Sequence, residues 1–246
     1  NQLSGMISVI YPLGTGSKWH NNELRYSLRS LSHISGIGDV FIVGEKPAWV
    51  RNVIHIPCKD VPFRKEYSIY TKIMAAVNDE RVSNCFLFMN DDHFCLQDMD
   101  VTDIENYASG TLFDEYNRRH GHYKAACKNT LDMLEVITND NLRYFGDEFN
   151  YCDVHTPILY WKGFWNGISK VIEPKTEYVL KSLYAGFAGV QTVEITDIKI
   201  NKPMPYREIL AKLQDRKFFS IGDYGVCLDM KRVMNELYPK KSKYEI

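Results

Sequence analysis

The chain has 246 residues, 45% hydrophobic and 25% charged, with a formal net charge of −1. That is apolar material enough for one large α/β domain, and the lack of a basic excess argues against a protein held to nucleic acid mainly by charge. No apolar run approaches the roughly 18 residues of a membrane-spanning helix.

Asn1 to Gly5 precede Met6 and read as a foreign remnant, so that the native chain would begin "MISVIYPLG", directly with a strand and without a signal peptide. Ile7 to Tyr11 is β-rich and is closed by Pro12 and the Gly14-Thr15-Gly16 turn. Asn21 or Asn22 caps a helix through about His33, with Leu24, Leu28 and Leu31 at helical spacing. Residues 39–44, "DVFIVG", and 53–57, "VIHIP", read as strands; 66–78 read as a helix; 84–90, "NCFLFMN", read as a fourth strand. This rhythm predicts a mainly parallel, Rossmann-like sheet flanked by helices. The second half is less regular: a strand near 155–161, a helix in "TEYVLKSLYAGFAG", an alternating strand in "QTVEITDIKI", and a helix in "MKRVMNELYP" stopped by Pro239. No linker stands out, so residues 6–246 are read as one domain with an elaborated C-terminal half.

The cysteines at 58, 85, 95, 127, 152 and 227 form no CxxC pair, and no Asn-x-Ser/Thr sequon is present. A reduced, cytoplasmic protein is the simplest expectation. No Gly-x-Ser-x-Gly elbow or Ser-His-Asp spacing appears, which removes the nucleophile hydrolases.

The chemistry concentrates where "CFLFM" runs into Asn90-Asp91-Asp92-His93. In parallel sheets, ligands bind outside the carboxyl ends of the strands. Adjacent carboxylates repel unless a cation shares them. A hard ion, Mg²⁺ or Mn²⁺, takes oxygen ligands beside a nucleotide's phosphates, so Asp91 and Asp92 are candidate metal ligands; a solvated, helix-capping acidic turn is the alternative. His93 is a possible further ligand, although strand alternation points it away from Asp92. Gly14 and Gly16 allow backbone amides to approach a phosphate or base, or simply form a turn. Arg25 and Arg29 share a helical face and can grip a diphosphate or an acidic side chain. His155, near Asp153, is either a core histidine or a catalytic one. Tyr160, Trp161, Phe164 and Trp165 read as core before they read as a sugar platform.

Several stretches in order, "NNELRYSLRSL", "VFIVGEKPAWVRNV" and "CFLFMNDDHFCL", resemble the second conserved region of the Stealth-type proteins, bacterial capsular-polysaccharide sugar-phosphate transferases related to the lysosomal-enzyme phosphotransferase. "VHTPILYWKGFW" resembles the third region, with its His-x-Pro element, and "FFSIGDYG" with "LYPKKSKYE" resembles the fourth. The chain departs from the family pattern in three places, one of them the fourth region's Ile-Asn-Asp, which here reads Ile221-Gly222-Asp223. The first region's Trp-Val-Asp is missing from "SVIYPLGTGS", and Lys181 stands nearest the position of the third region's Arg. The same alternation with an acidic strand end is similar to a GT-A glycosyltransferase, a class that uses Mn²⁺ or Mg²⁺ against a nucleoside-diphospho-sugar.

The resemblance implies a GT-A-like transferase of a bacterium or a phage-infected host, cytoplasmic, taking a nucleotide-sugar, most simply a UDP-sugar. Pro12, Leu13, Gly14, Gly16, Ser17, Arg25, Arg29, Lys65, Asn90 and Asp91 would contact the donor. Asp91 and Asp92 would hold the metal. Asp92, His155 and Asp223 would be catalytic, with His155 a general base or later metal ligand and Asp223 closing the acceptor side. The acceptor would be a saccharide or a hydroxymethylated DNA base. Alternatives are sugar-1-phosphate transfer, a non-catalytic nucleotide-sugar binding module, and a nucleic-acid-binding protein using the basic segments "NRRHGHYK" and "YPKKSKY".

Overall fold

The computed structural model describes residues 5–138 and 149–246; Asn1–Ser4, most of the segment read as a remnant, lie outside them. The chain opens with β1 (Ile7–Leu13), then α1 (Asn22–Ser30), a two-residue β2 (Ile34–Ser35), β3 (Ile37–Gly44) and β4 (Ile54–Ile56). Helix α2 (Lys65–Val77) leads to β5 (Cys85–Phe88), β6 (His93–Cys95), and the short β7 (Met99–Asp100) and β8 (Tyr107–Ala108). Helices α3 (Leu112–Arg118) and α4 (Gly121–Thr138) precede β9 (Ile158–Trp161), α5 (Lys162–Ile168) and α6 (Leu180–Ala188). The end is β10 (Val193–Glu194), β11 (Lys199–Ile200), α7 (Tyr206–Leu213), β12 (Phe218–Ile221) and α8 (Leu228–Leu237).

The main sheet has the order β4-β3-β1-β5-β9, and only β9 runs antiparallel to its neighbour. Both faces are buried, which is why the strands read as near-continuous apolar runs. Alternate residues divide between two cores. Ile10, Phe41, Val43, Phe86 and Phe88 face α2, α4, α5 and α6, whereas Val9, Tyr11, Ile42, Leu87 and Met89 face Leu24 and Leu28 of α1. A second sheet, β11-β12-β6, packs under α7 and α8 through Phe94, Phe219, Met230 and Val233. All six cysteines are free, and among the described residues no helix is long and apolar enough to cross a membrane.

The early elements lie within a few residues of their expected places; the helix from Asn22 ends at Ser30 and continues as a 3₁₀ turn, Leu31–His33. The alternating stretch 191–200 is not one strand. Val193–Glu194 pairs with β8 and Lys199–Ile200 with β12, so residues 195–198 cross between two sheets. Alternation registers two short strands and one longer strand alike.

The end of the described chain is tied to α1. Glu245, buried, accepts from Arg25 Nη1 at 2.9 Å, and from Arg29 Nε and Nη2 at 2.9 and 2.8 Å. Ser242 donates its amide to the same carboxylate at 2.7 Å. Burial alone would raise this carboxyl, but Arg29, the Ser242 amide and Arg25 bring it down to about 2. A depressed carboxyl contributes stability above its unfolded value, 4.5, and loses it as pH falls toward 2. Glu245→Ala, which strands two guanidinium groups, is expected to cost roughly 3 kcal/mol and to flatten that acid limb; chemical denaturation at pH 7 and at pH 3 measures both.

Candidate functional site

Strand order reverses across β1, which pairs in parallel with β3 on one side and β5 on the other. The loops leaving β1 and β5 therefore diverge and open a crevice at their carboxyl ends, where open α/β sheets bind ligands. Gly14, Gly16 and Ser17 follow β1, and Asn90, Asp91 and Asp92 follow β5. The second sheet closes one side. Ser220 of β12 pairs with His93 of β6, and Lys199 of β11 pairs with Ser220, so Lys199 arrives beside the acidic pair. Opposite, β9 runs antiparallel with Ile158 against Phe88, which brings His155 to the same edge.

Asp92 Oδ2 meets Lys199 Nζ at 3.0 Å. Among the described residues Asp91 has no such partner. Burial, the charge of Asp92 and the charge of Glu23 hold its carboxyl well above the usual carboxylate range, opposed by its own amide and Lys199. Glu23 Oε2 is itself buried without a hydrogen-bond donor among the described residues. His93 is buried, 3.9 Å from Asp92 through Nε2, and its Nδ1 accepts from the Asn90 amide at 3.2 Å. Burial, with Lys181, His155 and Lys199, pushes its imidazole well below the usual range, so it is neutral. The donor set, two adjacent carboxylates with an orphaned third carboxylate oxygen nearby, fits a hard divalent cation. Among the described residues no three Asp, Glu, His or Cys side chains gather around one point, so such an ion would need ligand oxygens to complete its shell.

His155 is paired with Asp197, which sequence alone did not single out. Its Nδ1 lies 2.6 Å from Asp197 Oδ2, and its amide donates to Oδ1 at 3.1 Å. Burial raises the Asp197 carboxyl and the hydrogen bonds from His155 more than reverse this, leaving it below the usual range. Lys181 is buried and donates to the carbonyls of Val154 and Thr156 at 2.7 and 2.6 Å. It thus braces the His155 loop and offers no free ammonium where the family's arginine was expected.

Other expected residues sit differently. The Leu13 side chain is core, and its carbonyl accepts from the Glu45 amide at 3.0 Å, so only its backbone borders the crevice; Pro12 is half-buried within β1. Ser17 Oγ accepts from the Asn21 amide at 2.8 Å and shapes the turn. Gly14 packs on Asp60, whose Oδ2 would lie 2.8 Å from a Cβ there. Asp60 is paired with the buried Lys72. Gly44, at φ +121°, ends β3 where a Cβ would stand 1.9 Å from the Leu13 carbonyl, so any side chain is excluded. Arg25 and Arg29 grip Glu245, which takes the acidic-side-chain alternative and leaves neither aimed at the crevice. Lys65 starts α2 and acts electrostatically on Glu66, whose carboxyl burial and Asp153 push up to about 7. Asp223 pairs with Lys18 at 3.5 Å, joining the loop after β12 to the loop after β1. Lys199, Asp197 and Glu23 escaped notice because each reaches the site through tertiary contacts alone; only the alternating 191–200 stretch hinted that its polar positions face something.

No protein-family model matches the chain, and no curated protein matches it in sequence. Solved structures do resemble it. The apo structure of WbbM, a bifunctional glycosyltransferase, is 11% identical, with 98% of this chain and 51% of that one covered, at a TM-score of 0.52. The chain therefore spans about half of that protein's length. The galactosyltransferase LgtC, in complex with donor and acceptor sugar analogs, is 12% identical over 96% of this chain and 97% of its own, at a TM-score of 0.45. A glycosyltransferase involved in the glycosylation of the major capsid of PBCV-1 is 10% identical over 96% and 100%, at 0.41. At such identities the likeness concerns the fold: a GT-A-like α/β arrangement, with a mainly parallel sheet and flanking helices.

The unshared charge of Asp91 makes a direct prediction. A raised carboxyl contributes most below its ordinary value, 3.8, and loses that contribution as pH rises through the higher folded value. Asp91→Asn is expected to raise the melting temperature of the metal-free protein at neutral pH and to remove this fall, as read by thermal unfolding across pH in the presence of a chelator.

Proposed function

We propose that this chain is a metal-dependent glycosyltransferase, moving a sugar from a nucleoside-diphospho-sugar to a hydroxyl of a saccharide or of a hydroxymethylated DNA base. The observation that carries the reading is the meeting, at the point where strand order reverses, of a cation-hungry carboxylate pair and a carboxylate-bound histidine. Asp91 and Asp92 would hold Mn²⁺ or Mg²⁺ beside the donor. Such an ion supplies charge neutralisation for the departing phosphate oxygens. The Gly14–Ser17 turn presents backbone amides to the nucleotide. Lys199, at 3.0 Å from Asp92, adds a second positive charge at the same edge. His155 takes the proton of the acceptor hydroxyl, and Asp223 lines the acceptor side.

One observation favours the Stealth-type alternative, sugar-1-phosphate transfer. The two most separated pieces of that resemblance, "ELRYSLRS" and "SKYE", meet in the ion pairs of Arg25 and Arg29 with Glu245. Glycosyl transfer breaks the bond from sugar to phosphate, and sugar-phosphate transfer breaks the diphosphate between its phosphorus atoms. Since Lys181 is buried on carbonyls where an arginine would bind phosphate, glycosyl transfer is the preferred reaction.

The nucleotide released decides. With UDP-sugars, Mn²⁺ and acceptor, UDP is expected; UMP alone would establish the alternative. Before turnover is sought, a UDP-sugar at about 100 times its Kd should raise stability by about 2.7 kcal/mol in the presence of Mn²⁺, and Asp92→Asn should abolish the metal-dependent part. Binding without turnover on any acceptor would mark a non-catalytic module.

A further inference from the structure

We propose that Asp197 and Lys181 are positioning residues that hold His155 in one tautomer and one orientation, with Nε2 presented as the proton acceptor for the incoming hydroxyl. This rests on the transferase reading above and adds to it the source of the base's orientation.

The loop that carries His155 is fixed from three sides. The buried Lys181 ammonium donates to the carbonyls immediately before and after the histidine, those of Val154 and Thr156. The Thr156 amide closes back on the Val154 carbonyl at 2.9 Å. The Asp197 carboxylate then takes both the backbone amide and the ring of His155. An ionised carboxylate only accepts hydrogen bonds, so the ring nitrogen facing it must carry a proton. Nδ1 is therefore N–H, and in the neutral ring the lone pair lies on Nε2, to which no hydrogen bond from the described residues is made. A histidine oriented in this way by a carboxylate is the arrangement a general base requires.

A buried ammonium resting on neutral carbonyls is destabilised by burial. For Lys181 the charges of Asp153, Asp197 and Asp92 offset part of this, and the ammonium still titrates below its ordinary range. His93 lies within electrostatic reach of Lys181, His155, Lys199 and Asp197.

In the reaction the acceptor oxygen bonds to the anomeric carbon while its proton passes to His155 Nε2. The bond from that carbon to the diphosphate oxygen breaks, and its electron pair leaves with the nucleoside diphosphate. Asp197 remains ionised and stabilises the imidazolium until the proton is lost to water.

Ring-nitrogen NMR of ¹⁵N-histidine-labelled protein tests the assignment without any need for activity. His155, assigned by its absence in His155→Gln, is expected wholly as the Nδ1–H form at a pH where it is neutral. Asp197→Asn offers an amide N–H to the ring and is expected to move His155 toward the Nε2–H form. In the same variant kcat should fall about 100-fold or more, with the donor KM changing less than about threefold. Mixed tautomers or an Nε2–H ring in the unaltered protein would overturn the proposal, as would a kcat for Asp197→Asn within twofold of the original. A pure Nδ1–H ring in a chain that transfers no sugar would instead sink the transferase reading and leave the held tautomer standing.

Discussion

Parallel pairing on both sides of β1 is the constraint from which the site follows. Once β3 and β5 both run alongside β1 in its own direction, their following loops must emerge on one edge of the sheet. Because one neighbour precedes β5 by an excursion through β4 and α2, the loops part there. Bulky apolar residues on both faces keep β1 central: Val9, Ile10 and Tyr11 are fully enclosed. The strand carries no chemistry itself, yet it decides where chemistry can be placed.

The second constraint is electrostatic. The link from β5 to β6 carries the chain from one sheet to the other, and it does so through the two aspartates. A backbone that must join two sheets has little freedom to turn those side chains away. Their charge is balanced unevenly: Asp92 has Lys199, while Asp91 faces Glu23 and burial. Across the crevice the balance is reversed, with Asp197 satisfied by His155 and with Lys181 enclosed. One half of the crevice thus holds a carboxyl raised by burial and like charge, and the other a histidine already braced by hydrogen bonds.

The first half of the fold was legible because its signals are local. Apolar runs ending in Gly44 or in Asn90-Asp91-Asp92 announce strands and their open ends. The second half was legible in part: the strand near 155–161 and the helices in "TEYVLKSLYAGFAG" and "MKRVMNELYP" are there as β9, α6 and α8. Helices α3, α4, α5 and α7 carry no strong stop signals, and the polar positions of 191–200 look alike until two different sheets claim them. Within the site, Asp91, Asp92 and His155 could be chosen for their neighbours in sequence. Asp197 lies 42 residues from His155, and Lys199 lies 107 residues from Asp92. Such partners exist only in the folded chain. Arg25 and Arg29 were legible as a pair but not in their target, since nothing local distinguishes a diphosphate from Glu245.

The clamp on α1 also bears on how the molecule is made. Arg25 and Glu245 are separated by 220 residues, and Arg29 and Glu245 by 216. Until Glu245 has been synthesised, α1 therefore lacks the carboxylate that its two guanidinium groups grip in the folded chain. Contacts of such long range form late and slowly, so nascent chains would present the α1 face of the sheet incompletely sealed. The sealing of that face would then wait on the arrival of a single glutamate.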